Sequence, residues 1–218
     1  MSFSQWPLGQ IATQIPGAIE VLFKHKINFC LLAQKTLKEI AQEAKLNDTD
    51  ICEELQNLSV QEHESINYDT LTNPELIDHI LIRYHQVHRA QLSELIELAQ
   101  RVELVHIEES LCPTGLARHL YQMKVDLEQH MMKEENILFP ILCNEFAPTV
   151  QGPISVMMEE HVDHMQDIET IYEMTNNLTI HEDACGSWKA LYADLKKFIT
   201  DINMHIYIEN EILFKRTA

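Results

Sequence analysis

At 218 residues, 45% of them hydrophobic, the chain can form one large domain, or a domain with a small companion, around a sizeable core. Lys and Arg number 16 against 34 Asp and Glu, and the formal net charge of −18 disfavours nucleic-acid phosphates and anionic lipid surfaces as partners. Five scattered cysteines with no Cys-x2-Cys pair argue against a disulfide framework, and five glycines with seven prolines are few for a turn-rich all-β fold.

The N-terminal residues Met-Ser-Phe-Ser-Gln-Trp-Pro lack a basic region followed by an apolar run, so no signal peptide is expected. No apolar stretch approaches the ~20 residues of a membrane helix. The expectation is a soluble cytoplasmic protein with no nucleic-acid or membrane partner. Residues 1–58 read as a small helical module. Leu8, Ile11, Ile15, Ile19, Leu22 and Phe23 recur at helical spacing, broken by Pro16-Gly17. Further apolar sets follow at Leu37, Ile40, Ala41 and Ala44, and at Ile51, Leu55 and Leu58. Residues 59–73 are polar without a sustained period and read as a linker.

From Asn73-Pro74-Glu75 the pattern predicts a second domain, residues 74–218. Asn73 is expected as the cap of its first helix, which carries an apolar stripe to about Val105. Cys112-Pro113-Thr114-Gly115 opens a second helix to about Asn144, with Pro140 as a candidate kink. Gly152-Pro153 opens a third to about Thr175. Asp183 or Ser187 opens a fourth to about Phe214. The fold class is all-α, two helix hairpins forming an antiparallel four-helix bundle beside a small N-terminal helical domain.

One signature occurs twice. His130-x3-Glu134-x2-Ile137-Leu138-Phe139 returns with the same spacing as His205-x3-Glu209-x2-Ile212-Leu213-Phe214. Asp126 and Asp201 precede the two copies by one turn. Upstream, His85-x2-His88 is echoed by His161-x2-His164. Helix lengths place these histidines together. From His85 to the turn near Val105 is about 20 residues, ~30 Å of helix, and from Thr114 to His130 about 16 residues, ~24 Å. The legs from His161 and to His205 nearly cancel, so the four histidines share one layer.

His and Glu four apart lie on one helix face, one turn from each other. Four His and two Glu make six protein ligands for two metal ions. With both glutamates bridging, each ion has two imidazole nitrogens and two carboxylate oxygens. A bridging oxide or hydroxide makes five, and a position stays open for a diatomic ligand. Such a donor set suits iron, and manganese or zinc less exclusively. Ferritin-like sites use Glu-x2-His motifs and more carboxylates, so the pattern lies elsewhere. A single His-x3-Glu is usually a surface pair; its duplication within the same apolar context makes that reading improbable. Spacing alone leaves His88 and His164 open as alternatives to His85 and His161. Asp126, Asp201 and Glu160 are candidates to orient imidazole N–H groups, although exposed acids are the commoner case. His25, His63, His79, His106, His119 and His181 have no counterpart in the repeat and read as ordinary. Met123, Met131, Met132, Met157, Met158, Met165 and Met204 read as core filling. No Gly-rich phosphate loop, serine-nucleophile motif or His-Glu-x2-His occurs.

At these residues the chain resembles the di-iron iron–sulfur cluster repair proteins, the repair-of-iron-centres family with a hemerythrin-like domain. The resemblance runs along essentially the whole chain. It includes Pro7-Leu8-Gly9, Arg83-Tyr84-His85, His130 to Glu135, Ile137 to Pro140, Gly152 to Met157, Glu160-His161, Thr175-Asn176-Asn177 and Trp188-Lys189-Ala190. It implies a hemerythrin-like bundle holding two non-heme iron ions, oxo- or hydroxo-bridged, on His85, His130, His161, His205, Glu134 and Glu209. It also implies a cytoplasmic homodimer that restores iron–sulfur proteins damaged by oxidative or nitrosative stress. Iron donation is the expected mode, rather than conventional enzyme catalysis. The alternative is a di-iron sensor or reductase of nitric oxide or oxygen species. The chain departs from the family at Asn28-Phe29-Cys30-Leu31-Leu32-Ala33. The family has adjacent cysteines followed by two glycines there, and only Cys30 remains. Cys30 could form a mixed disulfide or ligate metal, or be a small buried residue.

Overall fold

The computed structural model describes residues 3–27, 29–58, 67–144 and 150–217. The linker read at 59–73 therefore lies outside the described residues from 59 to 66, as do Asn28 and His63. The expected all-α class holds. Among the described residues there is no strand, only one isolated bridge between Pro7 and Thr36. Backbone contacts divide the chain into two compact units, Met1–Thr70 with Ile206–Lys215, and Leu71–His205 with Arg216–Ala218.

In the first unit the apolar sets predicted from spacing fold as short helices at Leu8–Gln14, Ala18–Lys24, Leu37–Ala44 and Asp48–Leu58, and a further short helix, Phe29–Leu32, lies outside the sets read from spacing. Each buries its stripe, and Leu8, Ile11, Leu22, Leu37, Ile51 and Leu55 are fully enclosed. Burying one such side chain is worth roughly 1.5–3 kcal/mol. Gly17, at φ 81°, makes the break after Ile15 and Pro16. Thr36 caps the helix that follows it, accepting from the Glu39 N–H while the Glu39 carboxylate accepts from the Thr36 N–H. Gly9 packs so closely on the Tyr207 ring that a Cβ there would stand 2.6 Å from Cε2.

Four long helices follow Leu71, the fourth ending within the Ile206–Lys215 segment that groups with the first unit. The first (73–105) starts one residue earlier than expected. Thr72 is the cap, in a reciprocal box with Glu75, and the Asn73 side chain instead donates to the Leu142 carbonyl at 3.2 Å. A hydroxyl set three residues before a glutamate outcompetes the amide for the cap. Gly115, at φ 92°, precedes the second helix (116–142). The third is Gln151–Met174, and Thr175 closes it by accepting from the Leu178 N–H. The fourth (186–213) begins between the two starts read from sequence.

Ion pairs and hydrogen bonds set the directions. Glu103 accepts from Ala117 N, Lys124 donates to Ser93, and Arg89 binds Glu128, so the first and second helices run antiparallel. His119 with Asp167 and His130 with His161 do the same for the second and third. His106 meets Cys185 while Arg83 meets Asp201, which orients the fourth helix against the first.

Three of the four helices carry a π turn, at Leu81–His85, Glu134–Leu138 and Ile208–Leu213. Pro140 does not cause the distortion in the second helix. The fourth helix has the same distortion at the matching place, where Lys215 stands in for Pro140. Two methionines read as core are not. Met132 is 51% and Met158 45% exposed, because both fall on the outer faces of their helices. Among the described residues, no helix is long and apolar enough to cross a membrane.

Candidate metal centre

The π turns mark the residues singled out by the repeat. His85 ends the first, Glu134 opens the second, and Glu209 lies at the start of the third. Turns of this kind, bonded i to i+5, gather at functional sites because they shift the side chains beyond them around the helix axis. His130 and Glu134 keep helical i, i+4 spacing, and the register widens after them. That widening turns Leu138 and Phe139, and likewise Leu213 and Phe214, into apolar packing.

The structure brings all six predicted residues together, each at most 1% exposed. Their donor atoms form two groups within which all atoms lie within 4.8 Å of one another. One is His85, Glu134, His205 and Glu209; the other is His130, Glu134, His161 and Glu209. Both glutamates therefore belong to both groups. The Nε2 atoms of His85 and His205 stand 3.2 Å apart, and those of His161 and His130 stand 3.1 Å apart. The Glu134 Oε2 atom is 3.4 Å from the Nε2 of both His85 and His130.

Two carboxylates set the tautomers. His85 Nδ1 meets Glu135 Oε1 at 2.8 Å, and His130 Nδ1 meets Glu160 Oε2 at 2.9 Å. A carboxylate only accepts, so each Nδ1 carries the proton and each Nε2 turns a lone pair inward. Each carboxylate is held from outside in turn. Arg89 binds Glu135 and Glu128, and Lys133 binds Glu160. Burial pushes both carboxyl groups up. Arg89 and His85 at Glu135, and Lys133 and His130 at Glu160, outweigh it and leave both below the ordinary carboxylate range. The arrangement can hold cations: six buried nitrogen and oxygen donors converge in two sets, with inward lone pairs fixed from behind.

His88 and His164 enter neither group. Both are buried, His88 with its Nδ1 on Gln91 Oε1 at 3.3 Å and its ring edge-on to Phe198. Burial holds its basicity well below the usual range, and His205 lowers it further, so the ring is neutral packing. His164 packs edge-on against the His130 ring at 5.0 Å. Of the candidate orienting acids only Glu160 touches an imidazole of the cluster. Asp126 is exposed and accepts from Gln122; Asp201 is buried but bonds Arg83 and Gln91. The repeat gave no warning of Glu135, because the matching position of the second copy is Asn210. Its only sequence signal is the doubled acid Glu134-Glu135. Cys30 is 2% exposed, and burial raises its thiol well above the ordinary value, which fits the reading of a small buried residue.

Comparisons with known proteins point the same way. The family described as Hemerythrin HHE cation binding domain matches residues 76–217, and a Domain of Unknown function (DUF542) matches residues 4–59. A probable iron-sulfur cluster repair protein of Haemophilus influenzae is 41% identical over 218 residues, covering 99% of this chain and 98% of the relative. The iron-sulfur cluster repair protein YtfE of Citrobacter koseri is 41% identical over 216 residues, covering 99% and 98%. That of Musicola paradisiaca is 40% identical, covering 99% and 97%.

Proposed function

We propose, from the premise that the chain belongs to the hemerythrin-domain family of iron–sulfur cluster repair proteins, that it binds two iron ions and returns iron to damaged iron–sulfur proteins. One observation carries the reading: two sets of four buried donors share Glu134 and Glu209. Each set has two imidazoles and two carboxylates, a mixture that suits iron with positions left open. Iron so held supplies redox chemistry and an exchangeable metal.

The chain's own residues do the rest. His85 and His205 would hold one ion and His130 and His161 the other, with Glu134 and Glu209 spanning both. Glu135 and Glu160 keep the Nδ1 protons of His85 and His130 in place, so these rings present Nε2 inward without rearrangement. Tyr84, stacked on His205 at 5.3 Å, and Phe139, stacked on His85 at 5.7 Å, wall the histidines against water. The two carboxylates leave few charges in the donor set, which favours release to a client protein over permanent retention. The reading carries with it a cytoplasmic setting, a homodimer, a small diatomic ligand such as nitric oxide or oxygen, and a role under oxidative and nitrosative stress.

The test is iron content, visible spectrum and transfer. The protein as purified should hold close to two irons per chain, with near-ultraviolet absorption of an oxygen-bridged pair. It should rebuild the cluster of a damaged dehydratase and lose iron to a mild chelator. Steady reduction of nitric oxide by an electron donor, with no cluster rebuilt, would replace donation with the reductase reading. Absence of iron would end both.

A further inference from the structure

A second chemical cluster lies at the end of the bundle remote from the metal centre. About 20 residues of helix, ~30 Å, separate His85 from His106. There the Cys185 sulfur stands 3.1 Å from His106 Nε2, and His106 Nδ1 stands 2.7 Å from Glu109 Oε1. The three groups form a line. The carboxylate meets the far nitrogen of the ring and not the sulfur, so they do not converge on a point as metal ligands must. The line has the order of an activated thiol: nucleophile, base, and an acid that orients the base.

The fold builds this line from three features. Cys185 caps the fourth helix, its carbonyl accepting from Lys189 N at 3.0 Å. Its sulfur takes hydrogen bonds from the Trp188 and Ser187 N–H groups of the first turn. His106 is 7% exposed and lies against the buried Trp188 ring at 5.0 Å, with His181 edge-on to the same ring at 4.6 Å. His181 Nε2 also approaches Glu109 Oε2 at 3.9 Å. The Trp188 N–H and then the His106 ring hold the Cys185 thiol below its usual range, against burial, which raises it. Glu109 and the sulfur in turn raise His106. Both shifts run in the direction that favours passage of the sulfur proton to the ring.

We propose that Cys185, with His106 and Glu109, is a reactive thiolate site oxidised by small neutral hydroperoxides. The sulfur is half-buried, Glu182 and Asp183 precede it by two or three residues in the chain, and Glu109 backs the His106 ring, so its setting is acidic and favours neutral oxidants over anionic disulfides. The sulfur electron pair attacks one peroxide oxygen, an S–O bond forms and the O–O bond breaks. The departing oxygen anion, hydroxide from hydrogen peroxide or alkoxide from an alkyl hydroperoxide, takes the proton of His106 Nε2 and leaves as water or alcohol. Sulfur is oxidised by two electrons to sulfenic acid, the peroxide is reduced, and His106 ends neutral.

Peptide-resolved labelling of the full-length protein tests this, with the exposed Cys143 as internal reference. An ordinary thiol is only about 1% thiolate at pH 6.5. Iodoacetamide should therefore modify Cys185 at least about tenfold faster than Cys143 at that pH, with the rate levelling at lower pH. Brief hydrogen peroxide with dimedone present should place the adduct on Cys185 first. His106→Gln should slow Cys185 labelling by about tenfold and leave Cys143 unchanged. Equal rates at the two cysteines, or an indifferent His106→Gln, overturn the activated thiol. Rapid alkylation without a dimedone adduct overturns the hydroperoxide. If His106→Gln fails to fold, the wild-type ratio and pH profile decide alone.

Discussion

Glu134 and Glu209 each serve both donor sets, whereas every histidine serves one. On the proposed assignment, Glu209→Leu should leave almost no iron and no near-ultraviolet band. His85→Ala should empty its own set first. His88→Leu and His164→Leu should keep iron near the wild-type level, since both rings lie outside the cluster and His88 is neutral packing. Iron assay with the visible spectrum checks all four, and iron loss from His88→Leu as great as from His85→Ala would sink the assignment. The residues of the cluster were legible because each has a counterpart in the repeat. Duplication is information that a lone residue lacks. Glu135 has no counterpart and could not be seen. Asp126 and Asp201 do have counterparts and still differ, one exposed and one tied to Arg83 and Gln91. The repeat preserves their place on the helix, while the neighbouring helix decides what they touch.

At the scale of elements, the helices were legible and their irregularities were not. Apolar periodicity and capping residues report where a helix begins and which face it buries. The bonding register within it depends on packing from outside, so none of the three π turns could be read. Pro140 drew attention in the right neighbourhood for the wrong reason. Glu135→Gln keeps the shape but weakens the acceptor on His85 Nδ1. It should lower iron affinity by about 10–100-fold with little change in fold, measured by chelator competition. Glu135 and Glu160 are held below 4.5 in the folded protein. Each therefore contributes stability that is fully present above that value and is lost as pH falls through the lower, folded one. The metal-free protein should lose stability on acidification below about 4.5, and Glu160→Gln should flatten that loss in pH-dependent melting. Gly9→Ala should destabilise the N-terminal unit, because its Cβ meets the Tyr207 ring. A melting temperature equal to wild type would show that the ring yields.

For the whole molecule, binding to the folded state alone couples iron to stability. At 100 times the dissociation constant a ligand adds about 2.7 kcal/mol, so stripping the metal should lower the melting temperature and restoring it should recover it. The antiparallel bundle was legible because leg lengths in the two hairpins return the histidines to one level. Which histidines meet was not legible. Similarity between the halves invites pairing His85 with His130 and His161 with His205. The structure pairs His85 with His205 and His130 with His161, although the first and second helices also lie against each other. A repeat states which residues are equivalent, and only the folded chain states which are neighbours.

That crossed pairing has a consequence for the chain as an assembly of fragments. A polypeptide cut between the second and third bundle helices leaves His85, His130 and Glu134 on one piece, and His161, His205 and Glu209 on the other. Neither piece owns a complete four-donor set. Each ion would act as a rivet through both pieces. Co-expressed fragments should associate in the presence of ferrous iron and come apart in chelator.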